Sequence, residues 1–375
     1  MFRSQRVLNE FRLKQKRIKL MITNDSLSLG GAETVILQHL DCLDRNFFEV
    51  HFITFKELGE LLSEGRKKAD YYACLNRRFG LDIASVIKLR RYIICNNIRI
   101  IHTNQWLDSL YVLLATQGLP VIKINSIHGY NYTWRHYVNL GVIKHFDLII
   151  SVSKSLKLDL CKMGIPYKKI CVVYNCYDAM RFSGVDNFRE YKRNEPFRLV
   201  MTGNFHWWKD QITLIKAVHI LISQKGYNIE LNLVGKGDDK LFNEAQNVVK
   251  KHVIAKHVKF WGSKRVNGDF LSQFDLFVFS SICDTFGVAL VEAMASNLPV
   301  LVSDIPPSIE IIQYGKCGLC FETGNPRSCA EKIEKYIKDP TLRKLMAQRG
   351  YVRSQRFRAS DITKELEKVY SNLIK

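Results

Sequence analysis

Apolar residues in this chain gather into short unbroken runs, separated by longer stretches whose apolar positions recur at helical spacing. The runs at residues 18–23, 50–55, 98–103, 121–127, 147–153 and 169–174 predict strands, rich in Ile, Val and Phe. A second series follows at residues 198–202, 228–234, 258–262, 275–280 and 299–303. Helical stretches lie among them at 33–43, 107–117 and 211–225, and a last one at 359–374. Strands apolar on both faces and alternating with helices predict parallel sheets covered on both sides, an α/β class. A charged stretch at 181–196, closed by Pro196, separates the two series. The expected organisation is a lead-in at 1–20, a first Rossmann-like domain at 21–190 and a second at 197–358. A final helix at 359–375 is expected to pack back across the boundary.

The most informative stretch is 275–303. Its two strands flank a helix expected to run from Gly287 to about Ser296, with Thr285 as a possible cap. Asn297 suits the left-handed position after a helix, and Pro299 prevents continuation. In open α/β sheets ligands sit at the carboxyl ends of strands, over a helix N-terminus. Asp284 stands in the loop before this helix, and Glu292 lies within it among apolar neighbours. Glu292 either marks a narrow solvent stripe or accepts hydrogen bonds from paired ligand hydroxyls such as a ribose diol. Eight residues of helix would span about 12 Å, comparable with the reach from a ribose across a diphosphate to a sugar.

Other strand ends carry weaker signals. Gly30-Gly31 opens the first helix, where paired glycines let backbone approach a ligand, or serve geometry alone. His128-Gly129 closes the strand at 121–127, a rim position open to ligand contact or to a structural imidazole. Lys209 precedes the helix at 211–225, where many lysines are merely solvated. The Gly235-Lys236-Gly237 turn is half a dinucleotide fingerprint, but Lys240 stands at the third glycine, which argues against NAD.

The Asp284-x7-Glu292 block, with Phe286-Gly287 and Glu292-Ala293-Met294-Ala295, resembles the E-x7-E region of the family 4 retaining glycosyltransferases. That resemblance implies the GT-B fold, two Rossmann-like domains with parallel sheets facing across a cleft. It implies that Asp284 and His128 contact the donor sugar and that amides around Phe286, Gly287 and Val288 hold the diphosphate. Glu292 would bind the ribose, Lys209 would pair with the diphosphate, and the turn at Gly235 would abut the base. Gly31 would line the cleft beside the reacting sugar. Two departures stand out: Asp replaces Glu at the first carboxylate, and Asn204 stands where the family often has Arg. Asn175-Cys176-Tyr177-Asp178 is similar to the family's N-G-[IV]-D turn, with Cys for Gly, and Glu310 resembles its second-domain glutamate after proline.

Composition narrows the partners. The formal net charge is +20, somewhat heavier in the first half, which fits phosphate-bearing ligands or an anionic surface. No nucleic-acid recognition motif accompanies it. Basic and aromatic stretches at 1–20, 66–91 and 130–145 suggest a lipid-linked acceptor at an anionic membrane. A disordered tail for the first and an ordinary half-buried helix for the last remain open. No apolar run reaches the ~18 residues of a membrane span, and the start lacks a secretory h-region. The expected location is therefore cytoplasmic, peripheral to the inner face of the membrane. The ten cysteines form no framework, and the Cys317–Cys320 CxxC has no second pair at zinc spacing. Neither a cofactor nor a metal is expected, there being no DxD-type pair. The sequence thus predicts a glycosyltransferase moving a sugar from a nucleotide-diphosphate donor, UDP by preference, to a glycan acceptor in surface polysaccharide assembly. An epimerase of the same architecture and a non-enzymatic membrane-binding protein are the alternatives.

Overall fold

A computed structural model describes residues 17–78, 80–129, 134–182, 188–192 and 194–374. Residues 1–16 of the lead-in, 130–133 of the aromatic stretch, and 183–187 with 193 of the charged stretch lie outside the described residues. The chain divides into two compact units, one of residues 1–152, 157–173 and 359–375, the other of residues 153–156 and 174–358.

The first unit opens with β1 (Ile18–Asn24), α1 (Gly31–Cys42), β2 (Phe48–Thr54), α2 (Leu62–Lys67) and β3 (Tyr71–Cys74). There follow α3 (Ile83–Cys95), β4 (Ile100–Thr103), α4 (Trp106–Ala115), β5 (Ile122–Ile127) and α5 (Trp134–Ile143). β6 (Leu148–Ser151), α6 (Lys154–Lys162) and β7 (Ile170–Val172) complete its sheet. All seven strands are parallel in the order β3-β2-β1-β4-β5-β6-β7. Met21, Ile53, Ile101, Tyr111 and Phe146 are buried in one core cluster, as the apolar runs require.

The second unit begins with α7 (Ala179–Phe182), β8 (Phe197–Thr202), α8 (Gln211–Ser223), β9 (Ile229–Val234) and α9 (Asp239–Lys251). Then come β10 (Val258–Phe260), α10 (Gly268–Leu271), β11 (Leu276–Phe279), α11 (Val288–Ala295) and β12 (Val300–Ser303). It ends with α12 (Pro306–Ile311), β13 (Leu319–Phe321), α13 (Pro326–Lys338) and α14 (Pro340–Ser354). Its six parallel strands run β10-β9-β8-β11-β12-β13.

The last helix, α15 (Ala359–Ile374), belongs to the first unit and packs on α1. Its polar anchors are buried: the Tyr370 hydroxyl is 2.6 Å from His102 Nδ1 and the Thr363 hydroxyl 2.9 Å from His39 Nδ1. Burial holds both imidazoles below their usual range, His39 at about 3, so they sit neutral under the helix.

Strand order reverses between β1 and β4 in one sheet and between β8 and β11 in the other. Two adjacent strands whose connections depart in opposite directions leave a crevice at their carboxyl ends. The loops after β8 and β11 carry Lys209 and Asp284, and those after β1 and β4 carry Gly30-Gly31 and Asn104.

Candidate active site

In the second unit the loop after β8 is pinned before it delivers Lys209. The Ser280 hydroxyl donates to the carbonyls of Lys209 and Asp210 at 3.2 and 2.9 Å, and the Ile282 amide donates to the Trp208 carbonyl at 2.8 Å. Asp210 takes a left-handed conformation (φ 48°) and caps α8 through the Thr213 amide. Lys209 Nζ then lies 2.6 Å from Asp284 Oδ2 and 4.9 Å from the Phe279 ring centre. Both charged side chains are largely buried, 18% and 16% exposed. Burial opposes ionisation of Asp284. The Lys209 ammonium and the amides of Phe286 and Thr285 outweigh it and hold the carboxyl below its usual range.

The expected Thr285 cap is not the one observed. The N-cap of α11 is Gly287, at φ 94° and with no side-chain cap, because Asp284 already turns the chain by accepting the Thr285 and Phe286 amides. A left-handed residue against the Phe279 ring (3.2 Å from an added Cβ) calls for glycine. With no side-chain oxygen over the helix end, the first-turn amides of Val288 and Ala289 lack an acceptor within the helix. This partial positive pole sits three residues beyond the Lys209–Asp284 pair, and an anion fits it.

Glu292 is half-buried on α11, where Leu290, Val291, Ala293, Met294 and Ala295 are core. Burial pushes its carboxyl up to about 7, with Arg181 pulling down and Asp178 pushing up. Among the described residues no group donates a hydrogen bond to it. A half-buried carboxylate with no donor among the described residues can accept hydrogen bonds from ligand hydroxyls. Phe286 points the other way: it is buried, with its ring 5.4 Å from Phe357 and 6.0 Å from Tyr174. It sets the loop by packing.

Asn204 and Gly235 join the two glycine turns of this unit. Asn204 Oδ1 accepts the Lys236 amide at 3.1 Å. Gly235, at φ 151°, lies so close to the loop after β8 that an added Cβ would fall 2.2 Å from the Gly203 carbonyl oxygen. Only glycine permits that approach.

In the first unit Gly31 is the exposed first residue of α1 and Gly30 its N-cap. His128 follows β5, with Nε2 3.0 Å from Asn104 Oδ1. Asn104 is itself fixed: its Nδ2 donates to the Thr23 carbonyl at 3.0 Å and its amide to Asp108 Oδ2 at 3.1 Å. Asp108, fully buried, also accepts the Thr23 hydroxyl at 2.8 Å and the Gln105 amide at 2.9 Å. Burial raises its carboxyl to about 7 against those donors.

The comparisons with known proteins bear on the family and the fold. Residues 29–181 match the model of Glycosyltransferase Family 4, and residues 185–353 that of the Glycosyl transferases group 1. A glycosyltransferase of Methanocaldococcus jannaschii, MJ1178, is 31% identical over 265 residues, 70% of this chain and 68% of its own. The chain belongs to the group 1 glycosyl transferases. The Escherichia coli UDP-Gal:alpha-D-GlcNAc-diphosphoundecaprenol alpha-1,3-galactosyltransferase is 23% identical across 88% of this chain and 91% of its own. Among solved structures, Anabaena HepE in complex with UDP superposes with a TM-score of 0.82 at 18% identity, covering 95% of this chain and 100% of that one. The fold is thus the GT-B fold that the motifs implied.

Within this glycosyl transferase the structure bonds Lys209 to Asp284, whose carboxylate accepts the two amides just before Gly287, and sets Glu292 farther along α11. Asn204 and Gly235 form a separate bonded turn in the same unit. Gly31 and His128 belong to the first unit. Sequence reasoning missed Asn104, although its place just past the end of β4, beside a strand-order reversal, marks it as a rim residue. It also missed Arg181 and Asp178, whose charges reach Glu292 only through the fold. Glu310 accepts the Lys154 and Ser155 amides, each at 3.1 Å, and the Tyr174 hydroxyl at 2.7 Å, capping the start of α6. Replacing Asn104 by Ala should remove one of the contacts that orient the His128 ring and lower kcat about tenfold, one hydrogen bond's worth of orientation. Steady-state kinetics beside a melting curve check it, with KM for the donor expected to change less than threefold.

Proposed function

We propose that this glycosyl transferase moves a sugar from a UDP-sugar to a lipid-linked glycan acceptor in surface polysaccharide assembly, with retention of the anomeric configuration. The observation that carries the proposal is the Lys209–Asp284 pair beside the uncapped amino end of α11, with a half-buried Glu292 farther along the same helix that accepts no hydrogen bond among the described residues. The diphosphate would lie against Lys209 and the amides of Gly287 and Val288, the ribose diol against Glu292, and the base at the Gly235 turn. On diphosphate binding the Lys209 ammonium has two anionic partners, and Asp284 is released towards the donor-sugar hydroxyls.

In the transfer step the anomeric C–O bond breaks and the electron pair leaves with the diphosphate. Lys209 and the helix amides meet the charge that develops there. The acceptor oxygen bonds to the anomeric carbon on the face just vacated, and its proton passes to the departing phosphate oxygen. No enzyme nucleophile enters this scheme, and His128 and Asp284 orient the sugar. The uridine preference is supported by the UDP-bound HepE relative in fold. A lipid diphosphate acceptor is supported by the E. coli relative and by the positive charge. Among the described residues no helix is long and apolar enough to cross a membrane, and the proposed location is the inner membrane face.

Thermal-shift titration tests the donor. UDP and UDP-sugars at 100 times Kd should raise the melting point by several degrees, since such saturation stabilises by about 2.7 kcal/mol. GDP and ADP should do less. Equal shifts from all three nucleotides would remove the base preference, and no shift from any would remove the donor site. Product formation with a polyprenyl-diphosphate sugar then separates a transferase from an epimerase, which converts its donor unaided.

A further inference from the structure

Helix α3 exposes an apolar stripe that no described residue of the first unit covers. Ile83 is 67% exposed, Ile87 48% and Ile94 50%, with Leu81 at 48% just before the helix. At about 100° per residue the three isoleucines fall within an arc of about 40°, so they form one line roughly 16 Å long. The opposite face, Ser85, Leu89 and Ile93, is buried. Amphipathicity therefore does not account for the stripe, since the helix already has its core face.

The charges around the stripe are of one sign. Arg91 is exposed on its flank, about 40° round the helix from Ile87, and Lys88 is exposed farther round, about 100° from it; Arg78 is exposed in the preceding loop, and the helix contains no acidic residue. Asp82, at its start, is buried and caps Ser85. Other basic residues of this region are occupied: Arg66 pairs with Glu57, Lys68 with Asp41 at 3.0 Å and Arg77 with Asp25 at 2.7 Å. Arg90 donates to the Ala115 and Gln117 carbonyls at the end of α4. Lys88 and Arg91 have no acidic partner among the described residues.

We infer that this face of α3 is a docking surface for an anionic lipid bilayer, with Ile83, Ile87 and Ile94 entering the acyl boundary and Lys88 and Arg91 meeting lipid phosphates. Exposed aliphatics bordered by cations are what an interfacial helix presents. A second copy of the chain fits less well, because pairing two such stripes would set Lys88 and Arg91 against their counterparts. The inference deepens the proposed membrane location and rests on it for a biological purpose, but not on the donor site.

Sedimentation with phosphatidylcholine vesicles containing zero or 30 mol% phosphatidylglycerol tests it on the full chain. Binding by the wild type should rise with phosphatidylglycerol and fall at high salt. I83S/I87S/I94S should lose at least tenfold in partitioning, and K88E/R91E should lose the dependence on anionic lipid. Both variants should keep the wild-type melting point and UDP shift, which separates a failed docking surface from a failed transferase. Equal vesicle binding by wild type and the triple-serine variant would overturn the inference. So would a wild-type dimer in sedimentation velocity that the triple-serine variant dissociates, because the stripe would then be a protein interface.

Discussion

Replacing Lys209 by Met should lower kcat/KM by 100- to 1,000-fold. That is the loss typical when one preorganised group facing a developing negative charge is removed. The expectation has a structural complication. Lys209 also neutralises Asp284 at 2.6 Å, and both side chains are mostly out of water. Its loss leaves a carboxylate with only backbone donors and should cost about 3 kcal/mol of stability. The double variant K209M/D284N resolves the two effects. With the orphaned charge gone, the melting point should return close to wild type while activity stays low. Recovery of activity in the double variant would mean that Lys209 matters only as the partner of Asp284.

Glu292 should behave in the opposite sense. Its folded-state carboxyl, at about 7, lies above the ordinary value of 4.5. The folded chain thus binds a proton that the unfolded chain has released, so this group's contribution to stability falls as pH rises from 4.5 to about 7. Above that window the cost approaches 2 kcal/mol, a figure reduced for the partial exposure of the side chain. E292Q, which has no charge to desolvate, should melt about 4–8 °C higher than wild type at pH 8. At pH 5 the difference should shrink to about 1 °C. The same variant should bind UDP about 10- to 100-fold more weakly, since hydrogen bonds from ribose hydroxyls to a carboxylate are worth about 1.5–3 kcal/mol. Wild-type affinity should rise with pH up to about 7, as the accepting form fills. Calorimetry at both pH values measures all three. A group that lowers stability while raising affinity is the mark of a binding residue rather than a packing one.

What the sequence discloses and what it hides follow from range. The apolar runs at 275–280 and 299–303 became β11 and β12 almost residue for residue, because a central parallel strand must be apolar on both faces. Asn297 is left-handed, at φ 54°, as its place between helix and proline required. β3 went unnoticed: Tyr71–Cys74 is a short edge strand with no fully buried residue, and its Tyr-Tyr-Ala-Cys run lacks the Ile, Val and Phe that marked the other strands. The cap of α11 was misjudged because Asp284 turns the chain before the helix, its Oδ1 accepting both the Thr285 and Phe286 amides. Asn104 and Arg181 reach His128 and Glu292 through tertiary placement, which no local spacing encodes.

The central claim is that the second unit holds a nucleoside diphosphate between Lys209 and the helix that bears Glu292. A crystal structure with UDP bound tests it most directly. The account predicts diphosphate oxygens within hydrogen-bond distance of Lys209 Nζ and the amides at Gly287 and Val288, with both ribose hydroxyls on the Glu292 carboxylate. UDP seated elsewhere, or a ribose facing away from Glu292 with Lys209 still closed on Asp284, would contradict it.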